Sequence, residues 1–339
     1  MITNIYITID TEYSIAGAFD PHHYFSPLAD EVVYGNEPNA KGGLSFLLDT
    51  FEQYEIEATF FVEAINVKHF GYNKMGDVVK EIRNKRQDVQ LHVHPVWAVF
   101  NGSNYTANDQ FYPLNDTLLG RSEDQIKRIL DIGFDAFDRW GVDCPRAIRT
   151  GSLFIEDNLY RIFSDYGIDV SSSVGTGVYL PNSKRLHLDV VGKMVEGVFE
   201  LPVTTFYDLP LLRPNNRKSL QITSCSWPEI KHTIVQANKN GVEDIVILTH
   251  PFEFFKRKDF RYSETIRNRV NQKRLIKLCK FIQNNQDRFM SKHIVDIDTK
   301  KLSTQKKHDM ERIKLGPKTP TFALLRKVQN KINDSIWGY

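Results

Sequence analysis

The feature that most constrains this chain is an alternation of short apolar, β-branched runs with stretches whose apolar residues recur at helical spacing. NIYITID is followed by GGLSFLLDTFEQYE and IEATFFVE, and VVKEIRNKRQ by DVQLHVHP. Then come SEDQIKRILDIGFDAFDRWG and CPRAIRTG, DNLYRIFSDYG and IDVSSSV, and the run VFELPVTTF. WPEIKHTIVQANKNG leads to EDIVILTH, and SETIRNRVNQKRLIKLCKFIQNN to a last run, HIVDID. Strands joined by crossover helices pair in parallel and are covered on both faces, so their runs are continuously apolar. Seven or eight of them close more naturally into a barrel than into an open sheet. The expected fold class is α/β, a (β/α) barrel over residues 1–298, followed by a basic linker and a helix over 299–339.

Composition sets the outer bounds. With 339 residues, 41% hydrophobic and 25% charged, the chain falls outside the disordered, collagenous and disulfide-scaffold classes. No apolar run reaches the roughly 18 residues that span a bilayer. The opening MITNIYITIDTEYS lacks the basic and apolar regions of a signal peptide and reads as a strand, which makes a cytoplasmic location the expectation. Cys144, Cys225 and Cys279 fit no metal or redox spacing and are expected to be reduced bystanders. Charge is uneven: residues 300–339 carry ten Lys/Arg against three Asp/Glu, and the remainder 34 against 39. A mildly acidic body argues against nucleic acid as a partner.

Two connections, residues 11–40 and 95–121, exceed the usual loop length of about 2–6 residues and are rich in rings. Tyr13, Phe19, Tyr24, Phe25 and Tyr34 fall in the first; Trp97, Phe100, Tyr105, Phe111 and Tyr112 fall in the second. Either the rings pack the loops down, or they rim a cleft at the C-terminal end of the barrel, where α/β barrels keep their active sites. In the second case exposed rings would stack on sugars, and Tyr13 and Trp97 are the candidate substrate contacts, with Ser152.

Several predicted strands end in groups that can do chemistry. Asp10 and Glu12 are two apart, as are His92 and His94, so each pair faces one way on its strand. Arg149 lies in AIRTG, and His250 ends IVILTH. Each has a bland alternative: Asp10-Thr11-Glu12 as a helix cap, one histidine in the core and one on the surface, Arg149 in a structural ion pair, His250 on a carbonyl. Together, at the end of the strands where they can meet, they form an N/O set suited to a divalent metal such as zinc. His22-His23 is a rival pair, although adjacent loop residues make poor co-ligands. No Gly-x-Ser-x-Gly nucleophile competes.

The ordered motifs TIDTE, EATFFV, LHVHP, RTGS and ILTHPFE, spread over residues 1–298, resemble the polysaccharide deacetylase superfamily (NodB-homology domain, carbohydrate esterase family 4). The likeness is greatest to its branch linked with bacterial surface-polysaccharide and lipopolysaccharide biosynthesis. The resemblance implies a distorted (β/α)7-type barrel that binds one divalent metal, most simply Zn2+, and removes an acetyl group from an amino sugar. It implies Asp10 as catalytic base, Arg149 as the residue that orients it and His250 as general acid. Glu12, His92 and His94 are the implied metal ligands. The family's adjacent Asp-Asp is here Asp10-Thr11-Glu12, its histidines four apart are here two apart, and its Arg-x-Pro-Tyr is here Arg149-Thr150-Gly151-Ser152. The implied partner is an N-acetylated glycan or lipid-linked sugar. A hydrolase of a non-sugar C–N bond and an inactive glycan-binding module on the same barrel stay open as alternatives.

After Pro320, TFALLRKVQNKINDSIWGY places Leu325, Val328, Ile332 and Ile336 on one helical face, with Arg326, Lys327 and Lys331 beside it and Trp337 near the end. This helix is expected to fold back and cover apolar surface, to lie on the anionic inner leaflet as a peripheral membrane contact, or to dock on a partner protein.

Overall fold

Ile5, Ile7 and Ile9 are fully buried within the strand Thr3–Thr11, the expected continuous run. It pairs in parallel with Asp244–Thr249, Asn4 opposite Asp244 and Ile9 opposite Thr249, and with Phe289–Ser291. In this computed structural model, residues 1–20, 22, 25–36, 42–102, 104–105, 115–208, 216–299, 313–316 and 321–335 are described. The fold class is the expected one: α/β, of the distorted (β/α)7-barrel kind. Two compact units make up the chain, Met1–Ala58 with Phe206–Lys292 and Lys314–Tyr339, and Thr59–Thr205 with His293–Ile313.

Helices Gly43–Tyr54, Trp227–Lys239, Arg269–Gln283 and Thr321–Asp334 belong to the first unit. Gly43 starts its helix at φ +53°, where a Cβ would lie 2.0 Å from the Val33 carbonyl oxygen, so only glycine fits. Two expectations are corrected here. The helix expected from Ser263 begins at Arg269, because Thr265–Arg267 pairs antiparallel with Phe255–Arg257 and Asn268 accepts the Asn271 N–H as a cap. The last strand is Phe289–Ser291, not HIVDID; Ile294–Asp296 is a 3₁₀ turn.

In the second unit the strands Ala58–Glu63, Asp88–Val93, Ala147–Thr150, Val170–Ser171 and Val198–Glu200 run parallel in that order. Lys193–Val195 pairs antiparallel with the last, through a two-residue turn with Glu196 and Gly197 both at positive φ. Helices Tyr72–Asn84, Glu123–Arg139 and Asp157–Asp165 belong to this unit. The second starts at a capping box, the Ser122 side chain accepting the Gln125 N–H while Gln125 accepts the Ser122 N–H.

The C-terminal helix folds back onto the first unit, but not by its apolar stripe. Arg326 is buried and donates to Asp208 at 2.7 Å and to Glu229, both buried. Arg274 donates to Gln329 and Asn330, and Ala323 is buried. Leu325 and Val328, which would face the body if the apolar stripe covered it, are 63% and 59% exposed. Ile336, Trp337 and the Ile332 side chain lie outside the described residues. Arg326→Ala leaves two buried carboxylates without their cation and is expected to lower stability by about 3 kcal/mol in urea unfolding. An unchanged midpoint would show the pairs to be dispensable.

Candidate functional site

The first unit contributes an acid–base cluster. Because Ile9 is in register with Thr249, the next residues, Asp10 near the end of its strand and His250 just past its own, lie side by side. Asp10 is buried, and its Oδ2 lies 3.9 Å from His250 Nε2. On the other ring face of the geometry, His250 Nδ1 is 3.0 Å from Oε1 of Glu253, whose Oε2 accepts from Thr249 Oγ1 at 2.7 Å. Asn268 and Asn271 donate to the Glu253 carbonyl, which fixes the 3₁₀ turn Pro251–Phe254. The Phe252 ring stacks on His250, centroids 4.8 Å apart. Burial works against the imidazolium, but the Glu253 hydrogen bond and the charges of Glu253, Asp10 and Glu12 outweigh it and raise the His250 pKa to about 9. Such a histidine is protonated at neutral pH and can give a proton away.

The second unit contributes a histidine pair. Register aligns Glu63, His92 and Arg149 across three adjacent strands. His92 Nδ1 lies 2.9 Å from the Arg149 carbonyl oxygen, which only accepts, so this nitrogen carries the proton. His94 Nδ1 is hydrogen-bonded to the carboxylate of Asp116, which in its ionised form also only accepts. Both rings, when neutral, therefore present a bare Nε2, and the two Nε2 atoms face each other at 3.0 Å. Two lone pairs at that separation repel unless a cation lies between them. Zinc–imidazole distances of about 2.0–2.1 Å in tetrahedral geometry put two ligand nitrogens roughly 3.3 Å apart, so this pair fits a divalent metal. His92 and His94 can thus hold one, each ring oriented by a partner on its far nitrogen.

Gly151 makes room for this arrangement. A Cβ there would lie 2.8 Å from His94 Nδ1 and 3.1 Å from the Val93 carbonyl. Gly151→Ala is expected to displace His94 from Asp116 and to weaken metal binding about 10–100-fold, read by competition with a chelator. Wild-type affinity in this variant would show that His94 has slack the packing does not suggest. Past Gly151 the backbone takes positive φ at Ser152 and Leu153, a costly conformation for both.

Arg149 is fully buried; Nε donates to the Ser172 carbonyl and Nη2 to Ser172 Oγ, each at 2.8 Å, and its guanidinium lies over Phe61. Glu63 accepts from the backbone N–H groups of Ile65 and Asn66 with its two oxygens. Burial pushes its carboxyl up to about 8 against the opposing pull of His94 and those N–H groups.

The aromatic contacts are corrected. Trp97 is 1% exposed, in the 3₁₀ turn Pro95–Val99 and packed against Phe70 and Phe100. Tyr13 is 4% exposed. Both rings are buried, and Trp97 packs its own loop down. Ser152 is exposed. His22 is a turn residue whose N–H donates to Asp20, while His23, Tyr24, Phe111 and Tyr112 lie outside the described residues. Asp116 and Glu253 escaped the reading of motifs. Glu253 carried a signal, three residues after a histidine in His-Pro-Phe-Glu; Asp116 carried none, being 22 residues from its partner.

No family model matches the chain, and no curated protein sequence is significantly similar to it. Solved structures are. A 4-alpha-glucanotransferase from Thermococcus litoralis matches with TM-score 0.50 and 13% identity, over 90% of this chain and 41% of that one. A family 4 carbohydrate esterase from Streptomyces lividans, in complex with acetate, matches with TM-score 0.42 and 12% identity, over 86% and 93%. A carbohydrate esterase family 4 pseudoenzyme from Bacillus anthracis matches with TM-score 0.42 and 12% identity, over 87% and 64%. At such identities the likeness is one of fold.

Proposed function

We propose that this chain is a metal-dependent hydrolase that removes the acetyl group from the nitrogen of an amino sugar in a glycan or glycan precursor. The observation that carries the reading is the pair of Nε2 atoms 3.0 Å apart, both far nitrogens engaged by acceptors. Glu12, which leaves the strand Thr3–Thr11 two residues after Asp10, is the proposed third ligand. The donor set of two imidazoles and a carboxylate favours zinc and leaves a position open. When bound, the metal would polarise the acetyl carbonyl and make water acidic enough to attack near neutral pH.

The chain's own groups then divide the proton work. Asp10, with Arg149 as its orienting partner, takes the proton from the attacking water. Backbone N–H groups of residues 151–153 are the proposed donors to the oxyanion that develops on the acyl carbon's oxygen. His250, kept protonated by Glu253, gives its proton to the departing amine. An inert glycan-binding module has no use for a charged acid held beside a buried carboxylate. The surface-polysaccharide branch in the motifs leads us to propose a lipid-linked or free glycan precursor as substrate and the cytoplasm as the place.

Acetate release from a panel of N-acetylated sugars, nucleotide sugars and lipid-linked glycans tests the reading. The expected result is release that a chelator stops and zinc restores. Zinc-loaded protein that is inactive on the whole panel but cleaves simple amides would move the reading to non-sugar C–N bonds.

A further inference from the structure

We propose that the outer face of the C-terminal helix is a docking surface for an anionic phospholipid bilayer, an inference independent of the reaction. The helix Thr321–Asp334 is amphipathic, yet it is mounted the wrong way round for a helix that covers a core. Its buried residues are Ala323 and the charged Arg326, held by Asp208 and Glu229; Phe322 is half-buried against His232, and half-buried Asn330 and exposed Gln329 accept from Arg274. The buried carboxylates fix its rotation, because Arg326 reaches both only with this face inward. Three large apolar residues are left exposed: Leu324, Leu325 and Val328 at 57%, 63% and 59%.

Charge selects the occupant. Lys327 and Lys331 are exposed beside the apolar residues, and Asp334 is the helix's sole acidic residue. An isologous pair of these helices would bring the lysines of two copies to one seam with little to offset them, which disfavours a second copy of this chain. Lysines beside an exposed apolar stripe are the arrangement that lies in the interface of an anionic bilayer, apolar side chains among the acyl chains and ammonium groups among the phosphates.

The full chain should pellet with vesicles of equal parts phosphatidylcholine and phosphatidylglycerol and remain in solution with phosphatidylcholine alone. Leu324→Ser/Leu325→Ser/Val328→Ser and, separately, Lys327→Glu/Lys331→Glu should each weaken pelleting about tenfold or more, and added salt should weaken it in the wild type. These side chains are exposed, so unchanged thermal unfolding of both variants is expected and checks that the helix still sits in place. Equal pelleting of the serine variant, binding indifferent to phosphatidylglycerol, or a leucine-dependent dimer in lipid-free sedimentation overturns the proposal.

Discussion

His94→Ala is expected to leave the purified chain with less than about a hundredth of the wild-type metal affinity and no measurable hydrolysis. The bound follows from comparison of contacts. Removing a group that only orients a metal-bound histidine costs about 10–100-fold in affinity, so removing the donor itself costs at least the upper end. Asp116→Asn falls in the lower range, since asparagine keeps an oxygen for His94 Nδ1 but loses the charge. His92→Ala should match His94→Ala, because the two rings offer equivalent nitrogens. Asp10→Asn and His250→Ala form the opposite class: both should retain metal and lose turnover, as groups that move protons. Metal analysis after gel filtration, together with acetate release, separates the classes. Full metal content in His94→Ala would remove His94 from the ligand set; loss of metal in Asp10→Asn would exchange the roles of Asp10 and Glu12.

How much of this was legible in the sequence depends on whether position along a strand decides the matter. His92, Arg149 and His250 are at or beside the C-terminal ends of strands, and a run of apolar residues shows where a strand ends. Partners that arrive through a loop carry no such mark. Asp116 bonds His94 and the Val96 N–H from about 20 residues on, and periodicity says nothing about such a contact. The ring-rich loops show the converse failure. Sequence counts Trp97 and Phe100 but does not tell which side of a 3₁₀ turn they occupy, and the turn puts both inside. The last strand was misplaced because RFMS and HIVDID are both short and half apolar. The second is diverted when Ile294 donates its N–H to Thr59 Oγ1, a contact 235 residues away in sequence. For the C-terminal helix, spacing shows an apolar stripe but does not choose between covering the body, lying on a membrane and docking on a partner. Apolar spacing assumes that apolar faces turn inward, and Arg326 with two buried carboxylates overrides that assumption.

Glu253→Gln is expected to move the alkaline limb of the pH–rate profile down from about pH 9 while leaving metal content unchanged. The sign follows from the groups around His250. Burial lowers its pKa, and the carboxylates of Glu253, Asp10 and Glu12 raise it further than burial lowers it. A general acid acts only while protonated, so activity holds below the folded-state value and fades as pH rises through it. Glutamine keeps an oxygen 3.0 Å from Nδ1 but removes the nearest charge, so the imidazolium loses support and the limb shifts toward the ordinary 6.5. His250→Ala, by comparison, should cost about 10²–10⁴-fold at every pH, the usual worth of a positioned acid. Stability gives a second readout. Because folding raises the pKa, the His250–Glu253 pair stabilises the chain fully below about pH 6.5 and loses that contribution as pH climbs through about 9. The Gln variant should therefore lose more stability at pH 6 than at pH 10, and NMR titration of the His250 ring should report the lowered pKa directly. A limb that stays near pH 9 in Glu253→Gln would assign it to a group other than His250.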